Sequence, residues 1–293
     1  MNNSALPPAE FEELITAVRP QLHRYVTHMI GSVIDAEDVV QDTLVKAYNS
    51  LPLLTSQTNL RGWLFRIAHN KAIDHVRYTN HRPTERLDEQ PLVAELDQPL
   101  EEKELVSLAL SVFLKLAPRQ RSCVIFKDVL GYSLAEISEL LDATVPEIKA
   151  SLHRGRTRLR ELSKGVESEV PVLDEREQVL LARYVDRFNA RDFDTLRTML
   201  AAEVRLDLIG RTRPGGVGGL GLTYFSKYNE QSDWWLRPGL VEGHPAIVVY
   251  DLTEDQSQPA YFVLLNWEND KVSLIRDYRY ARYVMQDAAI TVL

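Results

Sequence analysis

Apolar residues recur at helical spacing over the first part of the chain: Phe11, Leu14, Ile15, Val18, Leu22, Tyr25, Val26 and Ile30 fall on one face. Gly31-Ser32 ends this helix. Asp35-Ala36-Glu37-Asp38 opens a second, with acids in its first turn and Val39, Val40, Thr43, Leu44 and Ala47 on its inner face. Leu51-Pro52 to Asn59 reads as a loop. A third amphipathic helix over 60–78 turns Trp63, Leu64, Ile67, Ala68, Ile73 and Val76 inward. The periodicity then lapses, because Pro83 to Pro99 is rich in proline and acids, the composition of a flexible linker. Helix resumes over 100–116, and Pro118 starts another that runs to Leu130, where Gly131 stops it.

The next pattern is sharper. Ser133 precedes an apolar-periodic run, Leu134 to Leu141, as an N-cap residue does. Asp142-Ala143-Thr144 interrupts it. Val145-Pro146-Glu147 then restarts a helix, with Thr144 as cap, Pro146 in the first turn and Glu147 where a capping box wants a carboxylate. Leu134, Ile137, Leu140, Leu141, Ile148 and Leu152 can form one small core between two crossed helices. Lys149, His153, Arg154, Arg156, Arg158 and Arg160 are then expected to face outward. This is the plan of a helix-turn-helix, whose second helix enters the major groove of DNA.

From Glu175 the texture changes. Two helices, 177–188 and 193–202, precede alternating segments at 204–208, 246–250, 261–267 and 272–275, which read as strands. Asn269-Asp270 suits a hairpin turn between the last two. A glycine-rich loop at 215–221 lacks the Gly-Lys-Ser/Thr ending of a phosphate loop.

At 293 residues the chain fits two or three domains. Its N-terminus lacks the basic and apolar regions of a signal peptide, and no apolar run approaches the ~20 residues that span a bilayer. The single cysteine, Cys123, excludes an internal disulfide and sits in an apolar helical pattern, as a buried inert thiol would; a reducing cytoplasm is the expected home. The net charge of −8 argues against indiscriminate coating of nucleic acid, but the charges are unevenly distributed. Residues 60–78 carry four Arg or Lys against one Asp, and residues 145–160 carry five against one Glu, whereas residues 83–105 carry eight acids against two bases. Two basic patches separated by an acidic strap imply two DNA contacts joined by a tether that should not adhere to DNA. On the third helix Arg61, Arg66, Lys71 and Arg77 accompany Asn70 and the aromatics Trp63 and Phe65. That set suits single-stranded DNA, and equally an ordinary amphipathic helix.

Three segments carry a family resemblance. Asp35 to Tyr48 resembles the core-polymerase-binding helix of bacterial sigma factors, Leu60 to Arg77 their melting and downstream-element helix, and Leu116 to Arg160 their upstream-element module. The order, spacing and lack of a large intervening domain are similar to the extracytoplasmic-function (ECF) group. The resemblance implies that Asp35, Asp38, Gln41 and Asp42 dock on core RNA polymerase. It implies that Asn70 helps hold a flipped base of the downstream promoter element while Arg61, Arg66, Lys71 and Arg77 contact the opened strand. Glu147, Lys149, Ala150, His153, Arg154 and Arg156 would then read or flank the upstream element. The C-terminal part resembles the SnoaL-like (nuclear-transport-factor-2-like) α+β cone fold, with Asp207, Trp234, Tyr261, Asn266 and Tyr278 as candidates to line a pocket and Asp277 and Trp235 beside them.

The expected architecture is multidomain. A sigma region 2 helical bundle (8–80), an acidic linker (81–104), a region 4 helix-turn-helix (105–163) and a short linker (164–174) precede the SnoaL-like domain (175–293). The expected function is promoter-specific initiation through core polymerase and promoter DNA, with the last domain regulating in cis by packing against the sigma modules. No catalysis, metal or cofactor is expected, and a small-molecule ligand of the last domain stays open. The competing readings are a helix-turn-helix regulator acting without polymerase, and a SnoaL-like enzyme or ligand sensor with a DNA-binding appendage.

Overall fold

A computed structural model of the protein describes residues 8–54, 59–80, 110–162, 174–210, 220–230 and 233–293. The acidic strap, most of the second linker and the core of the glycine-rich loop lie outside these residues. The chain divides into two compact units, 1–167 and 168–293.

In the first unit α1 (Pro8–Ile30), α2 (Val33–Ser50) and α3 (Leu60–Asn80) form a bundle. α2 starts two residues before the expected Asp35, because Ser32 caps it by accepting from the Asp35 N–H. A short α4 (Leu110–Phe113), then α5 (Pro118–Val124) running into a wider π turn (Ile125–Val129), lead to the helix-turn-helix, α6 (Leu134–Leu141) and α7 (Val145–Leu162). The two expected modules share one hydrophobic core. Tyr25 of α1 stacks on Phe126 with ring centroids 4.4 Å apart, and Phe65 of α3 meets Phe126 and Tyr132 edge-on at 5.7 and 5.6 Å. Tyr25 Oη lies 2.7 Å from Nδ1 of His69, whose pKa burial lowers, and it also donates to the Ser122 hydroxyl at 3.3 Å. Arg121 of α5 donates to the Met29 carbonyl at the end of α1 and to the Leu114 and Leu116 carbonyls at 2.8 and 3.0 Å. Burial pushes this guanidinium down to about 10, which leaves it charged at neutral pH. Cys123 is buried, as expected, and its thiol is pushed up to about 12.

α7 packs closely on α5 at Gly155, where a Cβ would stand 2.8 Å from Val124 Cγ2. The turn between α6 and α7 passes through Asp142 in the left-handed region (φ 49°), which caps α6.

The second unit is a six-stranded sheet in the order β1-β5-β4-β3-β2-β6, parallel only between β1 and β5. The strands are β1 (Leu200–Leu208), β2 (Trp234–Val241), β3 (His244–Asp251), β4 (Tyr261–Glu268), β5 (Lys271–Asp277) and β6 (Ile290–Val292). α8 (Glu175–Asn189), α9 (Phe193–Thr198) and α10 (Leu220–Glu230) bury Phe188, Leu196 and Phe225 in one core with Tyr261, Val263 and Leu265 of β4. The alternate β4 residues Phe262 and Leu264 are buried too, and Tyr278 stacks on Phe262 at 4.3 Å. Asn269 and Asp270 both take positive φ (51° and 62°), as a tight hairpin turn requires.

Three elements escaped the pattern: α10, β2 and β6. β2 contains Pro238 and Gly239, which weaken a strand reading. Pro238 is tolerated because β6 pairs only with Gly239 to Val241, and Gly239 is needed because a Cβ there would stand 2.7 Å from the Thr291 carbonyl.

Phe126 joins the two halves of the first unit, and it is fully buried. Phe126→Ala should therefore cost about 3–5 kcal/mol of that unit's stability. Urea denaturation followed by the circular dichroism of its helices measures this.

Candidate polymerase and nucleic-acid surfaces

The inner face of α2 is anchored by an internal charge pair. Arg19 of α1 donates to Glu37, and both side chains are almost fully buried. Glu37 is thereby removed from the acidic cluster, whereas Asp35, Asp38, Gln41 and Asp42 all face solvent. Their spacing places them along one outward stripe. Val45 continues that stripe at 51% exposure and was not singled out in the sequence. The available signal was an apolar residue off the inner periodicity.

On α3, Asn70 and Arg77 are exposed, and Arg77 lies 3.9 Å from Asp74. Lys71 donates to Asp42 of α2 at 3.2 Å, tying the acidic stripe to the basic helix. The other two α3 cations turn toward the helix-turn-helix. Arg61 Nε donates to the Tyr132 hydroxyl at 3.0 Å with its guanidinium 5.2 Å from that ring, and it also donates to Gln21. Arg66 donates to the Glu139 carbonyl of α6 at 2.9 Å. Between them lies a cavity of about 230 Å³ bordered by Trp63, Arg61, Arg66, Tyr132 and Glu139.

The recognition helix α7 is fixed at its start by a capping box. Glu147 accepts from the Thr144 N–H at 2.7 Å and from its hydroxyl at 2.9 Å, and Arg119 lies 3.4 Å away. The same device opens α6, where Ser133 and Glu136 are paired. Both glutamate carboxyls are held below the ordinary carboxylate range, chiefly by these serine and threonine donors. Glu147 is therefore engaged at the helix end. Lys149 is exposed, and Ala150, His153 and Arg154 are half-buried.

Arg156 corrects the outward-facing assignment. It is 5% exposed and grips Asp128 through Nε and Nη2 at 2.9 and 2.6 Å, a bidentate pair inside the unit. Its acid comes from 28 residues earlier, so helical periodicity alone places the arginine on the wrong side.

In the second unit, the pocket candidates separate. Trp234 and Tyr261 border a cavity of about 290 Å³ together with Arg279, Asp233, Asp251 and Arg282. Asp207 does not: its side chain is half exposed and lies 3.9 Å from Arg276. Asn266 is exposed near the end of β4. Tyr278 is buried against Phe262, whose side chain leaves β4 on the face opposite Tyr261. Trp235, next along β2, is 51% exposed. Asp277 is fully buried, and its Oδ2 accepts from Tyr224 and Tyr228 at 3.1 and 3.0 Å while its Oδ1 accepts from the Arg279 N–H at 2.8 Å. Burial pushes this carboxyl up despite its donors. Among the described residues no cluster of His, Cys, Asp or Glu is arranged to hold a metal, and no helix is long and apolar enough to cross a membrane.

Comparison with known proteins adds to this geometry. Residues 14–82 match the family described as Sigma-70 region 2, and residues 108–159 match Sigma-70, region 4. The chain is 30% identical to the ECF RNA polymerase sigma factor SigW of Bacillus subtilis, over 51% of this chain and 87% of that protein. It is 27% identical to the ECF RNA polymerase sigma factor SigG of Mycobacterium tuberculosis, over 92% of this chain and 83% of that one. The crystal structure of the M. tuberculosis extracytoplasmic function sigma factor SigJ aligns with 91% of this chain and 95% of its own, at 19% identity and a TM-score of 0.36.

Two outcomes follow from the charges. Asp128→Asn leaves Arg156 as a buried charge with half its partner and should cost about 3–5 kcal/mol, whereas Lys149→Ala, on the surface, should stay within about 0.5 kcal/mol in the same urea titration. The two capping carboxyls are lowered on folding, so the stability they lend is full above the ordinary carboxyl range and is lost as pH falls through their lowered values. Glu147→Gln keeps the acceptor without the titration, so acid denaturation followed by circular dichroism should be flatter in that variant.

Proposed function

The chain belongs to the extracytoplasmic-function (ECF) family of RNA polymerase sigma factors, and from that premise we propose how its helical surfaces divide the work of promoter-specific transcription initiation. The stripe Asp35, Asp38, Gln41 and Asp42, extended by Val45, docks on core polymerase. Asn70, with Lys71 and Arg77, receives the opened strand of the downstream element. Holding an unpaired base there offsets the few kcal/mol of unstacking. Lys149, Ala150, His153 and Arg154 read or flank the upstream element, with Glu147 acting as the cap that orients the helix. The observation that carries this reading is the sorting of α2: one acid, Glu37, is internalised by Arg19, while the four polar residues of the outer stripe remain in solvent. A regulator acting without polymerase has no use for that stripe.

Arg61 and Arg66 enter the same reading conditionally. Each commits part of its guanidinium within the chain, Arg61 to Tyr132 and Gln21 and Arg66 to the Glu139 carbonyl, so those donors turn to phosphate only where the contact between α3 and the helix-turn-helix parts.

The reading extends to the C-terminal unit as a SnoaL-like cone that regulates the sigma modules in cis. Three helices on one face of an antiparallel-dominated sheet, with register shifts in β4–β5 and β1–β5 of the kind that bend strands, support the cone. Deletion of 170–293 should change promoter-specific output with purified polymerase, and unchanged output would remove the regulatory role.

Run-off transcription with core polymerase tests the whole. Asp38→Lys with Asp42→Lys should abolish core binding and transcript together. Asn70→Ala should retain core binding and lower open-complex formation. Lys149→Ala should weaken upstream binding and reduce its salt slope by about 1. A wild-type chain that binds core polymerase no better than the double variant would end this reading.

A further inference from the structure

The cavity at the β2–β3 end of the second unit carries two unlike charges that do not pair with each other. Arg279 is one. Its backbone N–H is taken by Asp277, but its guanidinium makes a single long hydrogen bond, Nη2 to the Tyr261 hydroxyl at 3.4 Å. Its nearest acid, Asp277, stands 3.8 Å from Nε and is already supplied by two tyrosine hydroxyls and a backbone amide. The guanidinium lies 4.0 Å from the centroid of the Tyr228 ring, and its side chain is only 16% exposed. A fork of five N–H donors is therefore held nearly rigid, mostly uncommitted, at the wall of a 290 Å³ cavity.

The hydroxyls around it run in one direction. Tyr228 donates to Asp277, so at the 3.1 Å Tyr228–Tyr261 contact Tyr261 is the donor. The Tyr261 oxygen then has only lone pairs to offer Arg279. This chain of donors fixes the arginine from behind and supplies no acid to neutralise it in front.

Asp233 is the second charge. It borders the same cavity, and its carbonyl accepts from the Leu252 N–H at 2.7 Å, which fixes its backbone beside the end of β3. Its carboxylate pairs with none of the described cations. The other two charges at the wall cancel, because Arg282 holds Asp251 at 3.0 Å and also Glu254 at 2.9 Å. The lining is thus balanced overall, with the Arg279 fork, held at its back 3.8 Å from Asp277, and the Asp233 carboxylate not paired with each other. Trp234, packed edge-on against Phe188 and Tyr228, supplies an apolar wall.

We propose that this cavity binds a small zwitterion of the α-amino-acid class, its carboxylate on the Arg279 fork, its ammonium at Asp233 and its side chain toward Trp234. A ligand carrying one charge would leave the opposite wall charge unmatched in a partly desolvated site, which is unfavourable. A planar carboxylate also matches a guanidinium fork better than a compact oxyanion with a different geometry. The site lies within the second unit, so it stands whether or not the reading of the sigma surfaces does.

The test uses the full-length chain with the proteinogenic amino acids as probes, each followed by thermal shift and then by calorimetric titration. At least one should bind saturably. For that amino acid, its amide (no carboxylate) and the corresponding carboxylic acid (no ammonium) should each bind at least tenfold more weakly. Arg279→Lys, which keeps the charge and loses the fork, should weaken the amino acid at least tenfold; Asp233→Asn should weaken the amino acid and leave the des-amino acid unchanged. Asp233 is partly exposed, so that second variant remains informative if changes at Arg279 disturb folding. Saturable binding of none of the amino acids, or binding that the des-amino acid matches and Asp233→Asn does not alter, would overturn the proposal.

Discussion

The N-terminal unit depends on a single aromatic contact, the stack of Tyr25 on Phe126 with Phe65 and Tyr132 closing its sides. Each pair of this kind contributes about 0.5–1.5 kcal/mol beyond the area it buries. The set therefore adds a few kcal/mol, beyond the shared core it is part of, to the hold of the helix-turn-helix on the three-helix bundle. Everything polar at this seam follows from it. Arg121 reaches the end of α1 because α5 is brought alongside, and Arg61 and Arg66 find Tyr132 and Glu139 because α3 faces α6. The same basic helix that would follow DNA is, at rest, partly engaged within the chain.

Charge is sorted by the same packing. Where an acid lies under a neighbouring helix it is matched, as Glu37 is by Arg19 and Asp128 by Arg156. Where it lies on the outer stripe of α2 it is exposed, and Asp42 there meets Lys71 of α3. Surface acids contribute little to stability, so a row of them on α2 beside an exposed valine is better understood as a surface for another molecule than as part of the fold. In the second unit, Asp277 is surrounded by tyrosines and stabilised from three directions, and the arginine behind which it sits keeps its donors for the cavity.

Much of the helical part was legible in the sequence, because caps and periodicity are local. Gly31-Ser32, the Thr144–Glu147 box and the 3.6-residue spacing all specify structure within a few residues. The same locality explains the failures. Arg156 read as solvent-facing because its partner is in another helix. Asp207 and Asn266 read as pocket residues because strand alternation yields two faces without saying which one is covered. In β4 both faces are covered, so Tyr261 borders a cavity while Phe262 next to it packs against Tyr278. Arg279 carried no local signal except its place in a dense run of tyrosines and arginines. The unity of the first unit was also invisible, since a contact between Tyr25 and Phe126 depends on a hundred residues of intervening chain.

The central claim is that the seam holds α3 against the helix-turn-helix at rest and parts when the chain engages its partners. Energy transfer between dyes at Tyr78→Cys on α3 and Thr157→Cys on α7, in a Cys123→Ser background, measures it most directly. The account predicts one high-transfer population in the isolated chain and a shift to low transfer on addition of core polymerase with promoter DNA. Low transfer in the isolated chain, or high transfer that persists in the promoter complex, would contradict it.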